Sequence, residues 1–102
     1  MVEPKIDELL RRGFADPNRL VRSQAVEAAG ERRSQDWLDA LELALGDPET
    51  EIRVKAAEGL GRLGTKVALE TVVKSLSTSD RALREALSEV LAVEGSKRIL
   101  EL

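Results

Sequence analysis

"DPETEIRVKAAEGLGRLG", residues Asp47–Gly64, repeats the sense of "DPNRLVRSQAVEAAG", residues Asp16–Gly30, thirty-one residues further along the chain. Sliding the sequence by that interval lays Asp16 on Asp47 and Pro17 on Pro48. It also aligns three-membered columns: Val21, Ile52 and Leu83; Arg22, Arg53 and Arg84; Glu27, Glu58 and Glu89; Gly30, Gly61 and Ala92; Leu38, Leu69 and Leu100. No insertion is needed. A register held over three passes is the mark of a repeat architecture, in which each unit buries a face of the next.

Within a unit the apolar spacing is helical. Ile52, Ala56, Leu60 and Leu63 fall three or four apart, as do Val21, Ala25, Ala28 and Ala29 before them and Leu83, Leu87, Val90 and Leu91 after. A shorter amphipathic helix precedes each: Ile6, Leu9 and Leu10; then Leu38, Leu41 and Leu45; then Leu69, Val72 and Leu76. Asp16-Pro17 and Asp47-Pro48 read as a helix cap followed by a proline at the first helical position, and Ser79-Asp80 as a cap without proline. Gly64 and Gly95 mark the ends of the longer helices, while Arg33 stands in the same column and predicts a strained or differently shaped turn there. Links this short make consecutive helices antiparallel. The reading is all-α: one domain over residues 1–102, with units at about 4–31, 34–63 and 66–93. A partial fourth unit at 96–102 is read as a short C-terminal helix.

The stretches Asp16–Gly30 and Asp47–Gly64 resemble a HEAT repeat in its short bacterial and archaeal form, the phycobilisome-lyase HEAT-like repeat. The resemblance runs from Lys5 to Glu94 and weakens in the third unit, where Leu87 replaces a small residue and Ala92 a glycine. It implies a right-handed α-solenoid (an α/α superhelix) of about three helical hairpins. The longer helix of each hairpin would line the concave side and the shorter one the convex side. The resemblance also implies a ladder in which Arg22, Arg53 and Arg84 hydrogen-bond the turns carrying Asp16 and Asp47, in their own unit or the next.

Composition narrows the function. The chain has no His, Cys or Tyr, and its aromatics are Phe14 and Trp37. That removes disulfides, thiolate metal sites and the usual general base near neutral pH. No cofactor and no catalytic or metal site is expected. A net charge of -3 argues against nucleic-acid binding, which requires a positive field. The first ten residues, "MVEPKIDELL", do not read as a signal peptide, and no apolar run is long enough for a membrane span, so a cytoplasmic protein is expected.

The exposed side of the longer helices is the candidate binding surface. It comprises Leu20, Ser23, Gln24 and Glu27 in the first unit, Glu51, Val54, Lys55, Glu58 and Arg62 in the second, and Glu85, Ala86 and Glu89 in the third. Glu27, Glu58 and Glu89 would stack into an acidic stripe, with Leu20, Val54 and Ala86 giving apolar contact beside it. The same positions suit a plain solvated helix face, since Glu is a good helix former. Trp37 is either partly buried at a helix start or an exposed anchor for a partner. The Arg11-Arg12 and Arg32-Arg33 doublets read as solvated helix ends. Leu43 is expected on the convex surface.

The sequence therefore predicts a non-enzymatic protein-interaction module, an adaptor, scaffold or assembly factor whose partner is another protein. The alternatives are a subunit or relative of a bilin lyase, which the resemblance suggests, and a self-associating structural repeat protein. Pairing of exposed C-terminal ends would give a homodimer.

Overall fold

The computed structural model describes the backbone of residues 3–101 and the side chains of residues 6–94 and of Lys97. Six helices follow one another: α1 (Glu3–Phe14), α2 (Arg19–Glu31), α3 (Leu38–Ala44, entered through a 3-10 turn at Gln35–Trp37), α4 (Thr50–Leu63), α5 (Lys66–Ser75) and α6 (Arg81–Glu101). They pair as α1/α2, α3/α4 and α5/α6. The smallest dimension of the molecule, 16 Å, is the depth of two helix layers. One layer is α1, α3 and α5; the other is α2, α4 and α6.

The repeat period becomes the core. Ile52, Ala56 and Leu60 on α4 are fully buried, with Val26 from α2, Leu41 from α3, Val72 from α5 and Leu87 from α6 around them. Helix α4 is the centre because it lies in the middle hairpin and packs on α2, α3, α5 and α6. Val21, Ile6 and Leu9 sit at repeat positions that are covered in the later units, yet they are 39%, 38% and 61% exposed. Burial at these positions comes from a preceding hairpin, and among the described residues none lies before α1.

Glycine sets both crossings between units in the inner layer. A Cβ on Gly59 would stand 3.1 Å from the Cα of Gly30, so α2 and α4 touch backbone to backbone there. One unit later a Cβ on Gly61 would stand 2.7 Å from Cγ1 of Val90. The Gly–Gly contact thus becomes Gly–Val at the α4/α6 crossing.

The punctuation differs in detail from the reading of the sequence. Asp16 and Asp47 do not cap helices. Their carboxylates accept the N–H groups of Asn18 (2.8 Å) and Glu49 (2.9 Å), closing Asx turns that hold each proline ahead of its helix. Asn18 caps α2 by accepting the Leu20 N–H, and Asp80 caps α6 by accepting the Leu83 N–H. Gly64 ends α4 in the left-handed conformation (φ 62°), and Arg33 adopts the same conformation (φ 51°) after α2. Gly95 ends nothing: α6 continues to Glu101, so the separate short C-terminal helix is absent and its residues prolong α6. Glycine permits a left-handed stop without imposing one, and within a helix it costs only about 1 kcal/mol. The side chains of Ile99 and Leu100, and Leu102 altogether, lie outside the described residues.

Trp37 is neither an exposed anchor nor partly buried. It is 3% exposed, its ring stacked on Phe14 with centroids 6.0 Å apart and the Arg11 guanidinium 4.5 Å from its centroid. Arg11 also donates to the Asp36 carbonyl at 2.8 Å, so it joins the first unit to the second instead of ending in solvent. Arg32 approaches Asp7 at 3.3 Å, close enough for Coulomb attraction but without hydrogen-bond alignment. Leu43 is 81% exposed on the outer layer, as expected.

The arginine ladder is present and crosses between units. Arg22 donates through Nε and Nη2 to the Asp47 carboxylate (2.9 and 3.3 Å) and through Nη1 to the Asp16 and Pro17 carbonyls of its own turn. Arg53 repeats the pattern with the Asp47 carbonyl and the Asp80 carboxylate. The second rung has moved. Thr78 occupies the column of Asp47 and closes the turn through its hydroxyl, while Asp80, two residues later, supplies the carboxylate. Asp16 and Arg84 are in the ladder's columns, but neither has a rung partner among the described residues.

The Leu83 N–H bond, reinforced by Arg53, holds the Asp80 carboxyl below its ordinary value of 3.8. Because the folded value is the lower one, the stabilisation is complete above the unfolded pKa and is lost as pH falls through the folded pKa. Urea unfolding followed across that acid range should show native stability declining, while Asp80→Asn is less stable at neutral pH and converges with the native chain in acid.

Candidate functional site: the concave groove

Helices α2, α4 and α6 pack on one another along their lengths, whereas α1, α3 and α5 barely meet. Closer spacing in one layer bends the stack toward it, so the α2/α4/α6 side is concave. The surface is not uniform. The Gly30/Gly59 contact closes the α2/α4 seam, while Val90 stands in the α4/α6 seam. There a groove of about 500 Å³ opens.

Val54 and Gly61 on α4, and Ala82, Ala86, Val90 and Val93 on α6, supply its apolar lining. Polar side chains of both signs complete it. Glu58, Glu85 and Glu89 lie along its middle, while Arg33, Arg62, Glu94 and Lys97 lie toward the C-terminal ends of the three inner helices. Glu58 and Glu89 have no ion-pair partner among the described residues, whereas Glu85 pairs with Arg81 (3.1 Å) and Glu94 with Lys97 (3.3 Å). The groove is therefore acidic in the middle and more basic at one end.

Six of the predicted surface residues meet here: Val54, Glu58, Arg62, Glu85, Ala86 and Glu89. The others do not. Leu20, Ser23 and Glu51 belong to a separate hollow of about 150 Å³ beside the start of α2, and Ser23 is buried there. Glu27 is engaged by Lys55 across the α2/α4 seam at 3.0 Å, and Gln24 is exposed on α2 outside both hollows. The acidic stripe is thus interrupted at its first member, and the site occupies the α4/α6 half of the concave face. Ala82 and Val93 lie in the same helical register as the predicted surface, whereas Arg33, Gly61, Val90, Glu94 and Lys97 were not predicted. Only Arg33 carried a signal, an arginine where the repeat elsewhere has glycine.

Among the described residues no cluster of acidic side chains is placed to hold a metal ion. No helix among them is long and apolar enough to cross a membrane. What the groove offers is apolar contact framed by charge.

A family model for HEAT repeats matches residues 6–92. The search of curated proteins found no match. The matched span reaches into all three hairpins and takes in the groove lining of α6 as far as Val90, and the chain belongs to the HEAT repeat family.

Proposed function

We propose that the chain is a non-enzymatic interaction module that binds a segment of another protein in the α4/α6 groove. HEAT repeats commonly mediate protein–protein interaction, which supports the class of function. The observation that carries the site is the pairing of an apolar floor with two glutamates, Glu58 and Glu89, that no cation of the described chain neutralises. The matching segment presents small aliphatic side chains to Val54, Ala86 and Val90, and a Lys or Arg to Glu58 and Glu89. An acidic group one or two turns away would meet Arg33 and Arg62, which fixes the direction in which the segment lies. Adaptor, scaffold or assembly roles all follow from such binding, and a cytoplasmic setting suits it.

Arg33 supports this reading independently. A non-glycine residue in the left-handed region costs roughly 1–2 kcal/mol, and strain of this kind collects where a side chain is needed for recognition.

Selection of random peptides on the immobilised native chain, with counter-selection on Glu58→Lys/Glu89→Lys/Ala86→Arg, tests the site. Peptides combining aliphatic and basic residues should be retained by the native chain and lost on the variant. Equal retention on both rejects the groove. In Arg33→Gly the strain is relieved, so unfolding free energy should rise by about 0.5–1 kcal/mol while affinity for the selected peptides falls. A fall in stability would show that Arg33 serves the fold instead.

A further inference from the structure

The two ends of the stack complement one another in the terms the interior uses. In the interior, Arg22 of one unit grips Asp47 of the next. At the C-terminal end Arg84 occupies the arginine column and its Nη1 lies 3.5 Å from its own turn's Thr78 carbonyl, as Arg22 reaches that of Asp16. Its Nε and Nη2 have no partner among the described residues. At the N-terminal end Asp16 occupies the column of Asp47 and closes the same Asx turn, with no arginine on its carboxylate among the described residues.

The outer layer agrees. Glu42 of α3 accepts from Thr71 of α5 at 2.9 Å, and Arg11 of α1 covers Trp37. Carried forward by the thirty-one-residue period, Glu42 and Arg11 become Val73, while Thr71 and Trp37 become Leu9 and Ile6 of a following hairpin. Val73 is 53% exposed and lines a largely apolar hollow of about 430 Å³ on α5; Leu9 and Ile6 are the exposed apolar residues of α1. The interior crossing agrees as well. Gly30 meets Gly59 and Gly61 meets Val90, so the next contact in the series joins Ala92 to Ala28, two small residues. Among the described residues none covers the edge of α5 at Val73.

We infer that a second copy of this chain docks head to tail, its α1 edge on the α5 edge of the first, so that Arg84 of one copy pairs with Asp16 of the next. The interface is heterologous, so each added copy leaves one free end of each kind, and association is open-ended. It uses surfaces distinct from the concave groove and differs from a symmetric pairing of C-terminal ends.

Sedimentation equilibrium of the full chain over a wide concentration range, at low and high salt, tests this. The native chain should gain mass with concentration without levelling off at a dimer, and less so at high salt. Arg84→Asp and Asp16→Arg should each weaken association by roughly tenfold or more through like-charge contact. An equal mixture of the two should restore it, because both junctions in the mixture then carry opposite charges. Val73→Asp should weaken association without rescue by either. Circular dichroism checks that each variant keeps its helices. A native chain that stays monomeric throughout overturns the proposal, as does a closed dimer unaffected by Arg84→Asp, or a charge-swapped mixture that stays apart.

Discussion

Neighbouring hairpins of this protein are held in register by an arginine that binds two turns at once. Arg22 and Arg53 donate to carbonyls of their own turn and to a carboxylate of the next. Apolar burial drives the helices together but is tolerant of sliding. A guanidinium fixed at both ends is not, because its donors are planar and directional. With the turns fixed, α2, α4 and α6 start side by side and run parallel. Their crossings then fall on Gly30/Gly59 and Gly61/Val90, and a Cβ at either member of the first pair would press on the facing backbone at 3.0–3.1 Å.

The groove follows from an imperfection in the repeat. Were position 90 a glycine like position 59, the α4/α6 seam would close as the α2/α4 seam does. Val90 fills the crossing and leaves the apolar faces of Val54, Ala86 and Val93 at the edge of an opening. The first seam is further shut by Lys55 and Glu27, a pair the third unit cannot repeat because Ala86 stands in the lysine's column. Divergence of the last unit therefore makes the groove, while the first two units close against each other.

Much of this was legible in the sequence. The thirty-one-residue period located the hairpins and the core columns, the resemblance to a HEAT repeat implied the first rung, and the arginine in the glycine column announced the strained turn at Arg33. What escaped has physical causes. The second rung was hidden because the carboxylate moved from the column of Thr78 to Asp80, a shift invisible without the distance to Arg53. Ser23 and Glu27 looked available because helical periodicity assigns a face but not the neighbour lying against it. Trp37 read as partly buried or exposed because the groups that cover it, Phe14 and Arg11, come from another hairpin. Gly95 looked like a stop because the conformational freedom of glycine is necessary for that turn but does not by itself produce it.

The rung is the claim on which the rest stands, and a double-mutant cycle measures it directly. Unfolding free energies of the native chain, Arg22→Met, Asp47→Asn and the double variant give the coupling between the two side chains apart from their separate roles. A bidentate, largely buried pair should show a coupling energy of about 2 kcal/mol. A coupling near zero would mean that packing alone sets the register and that the ladder is a consequence of the stack.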